Sequence, residues 1–245
     1  MTDIFFPDIG IDETGEKNII SCFGISVTEL NGALADITEN TKIVCRILED
    51  KFRVVFSVEG DTINIRNKVV SDLIDLFSDM LVFQGVFNPL SEVIKNIKKR
   101  GLKLSGAESC TGGLISSLIT SIAGSSDFYW GGWVTYSNES KSDILGGDSE
   151  ILQNYGAVSK QAAAAMADQA AELSGADISY AVSGIAGPSG GTPEKPVGTV
   201  WMAVSGKNRP GQARKFCFTG DRNRIQGTAA AVMLSYINYV LIKDY

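Results

Sequence analysis

The 245-residue sequence contains no histidine. That absence removes the Ser-His-Asp and Cys-His mechanisms, and with them histidine-ligated zinc. Hydrolytic chemistry in this chain has to take its base from Lys, Asp, Glu, Tyr or a bound metal. Cysteine is scarce too. Cys22, Cys45, Cys110 and Cys217 are scattered, with no Cys-x-x-Cys pair. A four-cysteine metal site therefore lacks its spacing, and the four read as reduced thiols of a cytoplasmic protein. Basic charge is in deficit: 22 Lys+Arg face 28 Asp+Glu, for a net charge of -6. General nucleic-acid binding usually needs a basic face, so it is not expected. A small anionic ligand held by a few local donors stays compatible. No apolar run reaches the roughly 18–20 residues of a membrane helix, so no membrane partner is expected. Residues 1–12 carry acids where a secretory leader would be basic and then apolar.

Glycine is plentiful, at 26 residues, which points to many tight turns. The length suits one large domain and a small one. Residues 1–88 read as a small α+β unit and 89–245 as the larger domain. In the first, 18–24 reads as a strand, 28–38 as a helix, and 43–49 with 52–58 as a hairpin. Phe52, Val54, Phe56 and Val58 alternate with Arg53, Val55 and Ser57, close to the period of a half-buried strand. Val70, Leu73, Ile74, Phe77 and Leu81 then recur at helical spacing. Gly85 and Pro89 break the chain at 84–89.

The larger domain starts with an amphipathic helix over 90–99, stopped by Gly101. A strand at 102–108, a helix at 112–123, a strand at 128–136 and a short helix at 138–145 come after it. Next come an Ala-rich helix at 160–174 and strands at 178–183, 197–205 and 213–218. A last helix runs from about 221 to 242, with Ile225, Ala229, Val232, Met233, Tyr236 and Val240 on one face. Strands interleaved with helices predict an α/β fold, a sheet covered by helices.

Four segments carry chemistry. In Ala107-Glu108-Ser109-Cys110-Thr111-Gly112-Gly113 a strand ends and a glycine pair opens a helix. Free amides at a helix start favour negative charge, so a nucleophile there sits beside donors for a tetrahedral oxyanion. Ser109, Cys110 and Thr111 are all nucleophiles, and consecutive residues point in different directions, which leaves one of them to face a site. The amides of Cys110, Thr111, Gly112 and Gly113 are the oxyanion candidates. The same residues also suit a simple N-cap, and Glu108 suits a strand-end acceptor better than a catalytic acid. In Tyr136-Ser137-Asn138-Glu139-Ser140-Lys141, Ser137 or Asn138 can cap a helix bearing Lys141 on its first turn. A lysine near a positive helix end, or partly buried, has its pKa lowered and can then deprotonate a serine. An exposed surface lysine is the plainer alternative.

The third segment, 183–199, places Gly184, Ala186, Gly187, Thr192, Lys195, Gly198 and Thr199 in a long Gly/Pro-rich loop. Such a loop approaches a flat ring or a phosphate closely, and loops this long are uncommon unless functional. The fourth is Thr219-Gly220-Asp221-Arg222-Asn223-Arg224, with Asp221 as N-cap. Two arginines in a first helical turn oppose the helix dipole and suit a phosphate, or else form a solvated basic turn.

These segments, with Gly156-Ala157-Val158-Ser159, resemble in their order and wording the CinA C-terminal domain family, over about residues 90–245. The resemblance implies a mixed sheet layered with helices. It implies hydrolysis of nicotinamide mononucleotide to nicotinate mononucleotide and ammonia, without a cofactor or metal. Ser109 falls on the family nucleophile and Lys141 on its motif lysine. Tyr136 falls on the motif as a residue that tunes the lysine or bonds the substrate. Asn138, the loop residues above and Arg222 are the implied substrate contacts. Residues 18–84 are similar to the small KH-like domain of full-length CinA proteins, but without the basic Gly-x-x-Gly loop that goes with RNA binding. The domain similar to molybdopterin-binding proteins, which begins those chains, is not matched. A homodimer is a family expectation. A non-catalytic nucleotide-binding or scaffold role in a competence or DNA-damage pathway is the alternative. One departure stands out. The family often has an arginine four positions after Arg222, where this chain has Gln226.

Overall fold

The computed structural model describes residues 18–23, 25, 27–39, 44–49, 54–59, 63–76, 81–84, 88–145, 149–207 and 209–245. The chain divides into two compact units, Met1–Asn88 and Pro89–Tyr245.

Unit 1 contains β1 (Asn18–Phe23), α1 (Val27–Thr38), β2 (Val44–Glu49), β3 (Val54–Glu59), α2 (Ile63–Leu76) and β4 (Leu81–Gln84). The strands form a sheet in the order β2-β3-β1-β4, with every pairing antiparallel. Leu30 and Leu34 of α1, one turn apart, pack with Val69, Val70 and Leu73 of α2 against Ile20 and Cys22 of β1. The expected hairpin is β2–β3, with Cys45 opposite Val58; Ile43 and Phe52 lie outside the described residues. The helical reading through Leu81 is wrong. The helix stops at Leu76, and Leu81 opens β4, paired with Phe23. Val82 and Phe83 favour a strand, the four residues satisfy their backbone beside β1, and spacing alone does not separate a short apolar run from a helix. Phe77 lies outside the described residues.

Unit 2 contains α3 (Pro89–Arg100), β5 (Leu104–Glu108), α4 (Leu114–Thr120), β6 (Tyr129–Val134), α5 (Asn138–Leu145), α6 (Ser149–Tyr155), α7 (Lys160–Ser174), β7 (Ile178–Gly184), β8 (Thr199–Gly206), β9 (Arg209–Cys217) and α8 (Arg222–Asp244). The sheet order is β6-β5-β7-β8-β9. β5 runs parallel to β6 and β7, while β8 is antiparallel to both β7 and β9. The expected mixed α/β sheet is therefore present. Its directions matter for function. The ends of β5, β6, β7 and β9 and the start of β8 share one edge, and all four chemical segments leave from it. This is where open α/β sheets bind ligands.

Helix α7 lies on the sheet through small side chains. Ala163, Met166, Ala167 and Ala170 meet Ala107, Ala181 and Ala203. Ser159 caps it by accepting from Ala162 N at 3.1 Å, and Gly175 ends it in the left-handed conformation. Helix α8 is buried almost all round, beyond the single face expected. It is the one helix among the described residues long and apolar enough to cross a membrane, and 78% of its apolar window is buried inside the protein. Thr228, Ser235 and Asn238 interrupt the run, so it is its mean hydropathy and not an unbroken apolar stretch that reaches that length.

Other boundaries moved for local reasons. Helix α4 begins at Leu114, not Gly112, since both glycines take positive φ. Helix α6, with seven residues, is too short for a periodic signal. Strand β9 starts four residues before the expected 213, at Arg209. Pro210 and Gly211 hid that start, yet an edge strand tolerates proline because one side needs no ladder donor.

Candidate active site

Strand β5 is buried from end to end, and its last residue organises the turn and helix that come after it. The Glu108 carboxylate folds back over the start of α4. One oxygen accepts from Thr111 Oγ1 at 2.7 Å, Gly113 N at 3.0 Å and Ile115 N at 3.1 Å. The other accepts from Ser116 N at 2.8 Å, Ser116 Oγ at 2.7 Å and Tyr180 OH at 3.3 Å. The N-cap residue Gly113 supplies no side-chain cap, so Glu108 takes that task, and a negative group suits the positive helix end. Gly106 makes room for this arrangement, since a Cβ there would overlap the Tyr180 ring. Glu108 is thus the strand-end acceptor that its position suggested.

Between Glu108 and α4 the chain turns. Ser109 N donates to Val182 O at 2.9 Å, Gly112 N to Ser109 O at 3.0 Å and Leu114 N to Thr111 O at 3.2 Å. Three adjacent nucleophiles are then told apart. The Thr111 hydroxyl is committed to Glu108. The Cys110 thiol is pushed up to about 12 by burial, which suppresses its thiolate. Ser109 is the one whose hydroxyl meets an amine, that of Lys141. The amides proposed for an oxyanion hole are also sorted. Gly112 and Gly113 donate to Ser109 O and Glu108, so neither faces a ligand in this arrangement. Neither Cys110 N nor Thr111 N meets an acceptor in another of the described residues.

Lys141 arrives on α5. Ser137 and Ser140 cap that helix reciprocally: Ser140 N donates to Ser137 Oγ at 3.0 Å and Ser137 N to Ser140 Oγ at 3.1 Å. The Lys141 side chain turns inward and is 3% exposed. Its Nζ lies 3.0 Å from Ser109 Oγ and 2.8 Å from Thr135 O, with the carbonyls of Tyr136 and Ser137 at 3.4 Å. Among the described residues no carboxylate pairs with it. Burial lowers its pKa, since taking a cation out of water favours the neutral amine. A neutral amine has two N–H donors for the carbonyls and one lone pair for the serine proton.

The remaining candidates form an outer layer. Arg222 opens α8, where Asp221 accepts from Arg224 N at 2.8 Å as the expected N-cap. Arg222 donates from Nη1 to Gly187 O at 2.8 Å and from Nη2 to Tyr136 OH at 2.5 Å. It joins three segments. The Tyr136 phenol meets Arg222, and it is the carbonyl of Tyr136 that the Lys141 amine reaches. Gly184 ends β7 close to Thr199 O, and Gly198 packs against the backbone of Phe218. Ala186 is buried, Asn138 is exposed at the start of α5, and Thr199 is buried with its hydroxyl unpaired among the described residues. Thr192 and Lys195 bond each other: Thr192 N donates to Lys195 O at 2.9 Å and Lys195 N to Thr192 Oγ1 at 3.1 Å. Lys195 Nζ donates to Tyr155 O at 3.0 Å, tying the loop to the end of α6.

The sequence reading left Gln226 without a contact of its own. Its Nε2 donates to Cys110 O at 2.7 Å. The signal was present: Gln226 comes four residues after Arg222, which puts both on one helix face.

The sequence profile of the CinA C-terminal domain matches residues 88–241. The chain belongs to this family. A CinA-like protein of Geotalea daltonii is 38% identical over 241 residues, covering 92% of this chain and 56% of that protein. The nicotinamide-nucleotide amidohydrolase PncC of Escherichia coli K12 is 46% identical over 146 residues, covering 59% of this chain and 88% of the relative. Among solved structures, the competence damage-inducible protein A (ComA) of Klebsiella pneumoniae superposes with a TM-score of 0.62 at 35% identity, covering 64% of this chain and 97% of that one. The chain spans about half the length of several curated relatives it matches, 56% and 57% in two Geotalea and Geobacter proteins.

Proposed function

We propose that this chain hydrolyses the carboxamide of nicotinamide mononucleotide to nicotinate mononucleotide and ammonia, with Ser109 as nucleophile and Lys141 as base. The 3.0 Å contact between Lys141 Nζ and Ser109 Oγ carries the reading, because both groups are buried and no imidazole competes for the role. The name of the Escherichia coli relative, aligned over the same unit, supports the substrate. In the first half-reaction, neutral Lys141 takes the Ser109 proton as Oγ bonds to the carboxamide carbon. The oxyanion that forms is held by the amides left free in the turn, those of Cys110 and Thr111. The ammonium of Lys141 returns its proton to the amide nitrogen, the C–N bond breaks, and ammonia leaves a Ser109 ester. In the second half, Lys141 takes a proton from water as it attacks the ester. Ser109 Oγ departs with that proton, and the acid is released. Arg222 would bind the phosphate, and the loop from Gly184 to Thr199 would border the ring. We read unit 1 as the KH-like small domain that the sequence suggests.

A coupled ammonia assay on the full chain tests the reading. Ammonia release from nicotinamide mononucleotide, with ADP-ribose left unchanged, is the expected result. Tight nucleotide binding without ammonia would overturn it in favour of a non-catalytic nucleotide-binding role.

A further inference from the structure

Residues Ser109 to Gly112 form a turn closed by Gly112 N on Ser109 O at 3.0 Å. Its central peptide joins Cys110 to Thr111. In a β-turn, rotation of the central peptide exchanges one turn type for another while the flanking residues barely move. The N–H and C=O of a trans peptide point opposite ways. Rotating this one would swing Thr111 N–H from one side of the turn to the other. Gln226 opposes that rotation by donating to Cys110 O at 2.7 Å. It does so from α8, where its neighbours Ile225 and Gly227 are both buried, so the donor stands on a rigid element. Thr111 is itself 3% exposed, and its N–H finds no acceptor among the described residues. Buried backbone donors are normally paired, so a ligand atom is the natural partner for this one.

We infer that Gln226 is a positioning residue: by gripping the Cys110 carbonyl it aims the Thr111 amide at the oxygen of the reacting carbonyl. The inference rests on the Ser109 acyl-transfer reading above. It also accounts for the departure at this position. Glutamine and the arginine expected from the resemblance share the property the grip needs, an N–H donor on a long side chain. Glutamine supplies it without adding a further cation to the site.

The test compares full-length Gln226→Glu, Gln226→Leu and Gln226→Arg with wild type. The readouts are kcat and KM for nicotinamide mononucleotide, and inhibition by pyridine-3-boronic acid, which forms a tetrahedral adduct with an active serine. Glu and Leu lack the donor. Both are expected to lower kcat by about 10- to 100-fold, approaching the loss of one oxyanion donor, with little change in KM. Boronate inhibition should weaken in parallel, and Gln226→Arg should keep most of both. Wild-type kcat in the Glu and Leu variants would overturn the inference. So would an equal loss in all three variants with KM rising alongside. Failure of the underlying reading looks different, because wild type itself would then release no ammonia.

Discussion

Lys141 Nζ and Ser109 Oγ stand 3.0 Å apart, although 32 residues of chain separate them. The pair forms because β5 and β6 are parallel neighbours that end at the same edge of the sheet. One strand delivers the serine turn, and the other delivers the helix that carries the lysine. Thr135 O, just past the end of β6, receives the same amine at 2.8 Å and holds it in place.

Removing either partner should separate chemistry from folding. Ser109→Ala and Lys141→Ala are each expected to lower kcat for ammonia release by at least about 10²–10⁴-fold, the range of general acid–base help. Circular dichroism should show the fold retained. A Lys141→Ala variant with wild-type turnover would sink the base assignment.

The direction of the Lys141 pKa shift makes two pH predictions. If Lys141 is the base proposed above it has to be neutral to act, so kcat/KM should rise with pH through a limb lying below the ordinary lysine value of about 10.4. Lys141→Arg should abolish that limb together with activity. Stability tracks the same shift. A lysine whose folded pKa is depressed binds more protons when unfolded, so stability rises with pH between the folded value and the unfolded one. Lys141→Met should therefore raise Tm at neutral pH and narrow its gap to wild type as pH climbs through that window. Differential scanning calorimetry across pH checks this, and a lower Tm for Lys141→Met at pH 7 would contradict it.

Glu108 holds the serine turn and the start of α4 from within. Glu108→Leu leaves three backbone N–H groups and several hydroxyls without their acceptor. The expected loss is about 3–5 kcal/mol, the scale of breaking a buried charged network from one side. Urea unfolding measures it, and a change below about 1 kcal/mol would mean that the bonds are replaceable.

Arg222 offers a test of substrate size. Bonds to a charged group contribute about 1.5–3 kcal/mol each, or roughly 10- to 150-fold. Arg222→Gln should raise KM for nicotinamide mononucleotide by such a factor and leave the riboside, which lacks the phosphate, much less affected. Equal losses on both substrates would assign Arg222 instead to holding Tyr136 and Gly187 together.

Several features were legible without coordinates because they depend on local rules. Strand–helix alternation announced a helix-covered sheet. Asp221 announced its helix start, with a side chain that reaches an amide three residues away. Other features were not legible. Leu81 continued a helical spacing that the chain abandons at Leu76. Spacing reports which residues can share a face, and it does not report an open strand edge nearby. Tyr136 lay on the motif beside Lys141, yet its phenol turns to Arg222, 86 residues further on.

From the sequence alone one could establish that imidazole has no part in the chemistry, that a serine turn precedes a helix, and that a lysine opens another. Those conclusions come from residue type and short spacing, which act within a few peptide units. Setting the Ser109 hydroxyl beside Lys141 while Thr111 bonds Glu108, drying the amine of Lys141 and setting Gln226 against the Cys110 carbonyl required the assembled sheet. Burial and direction are properties of neighbours brought together from distant parts of the chain, and no single stretch of sequence contains them.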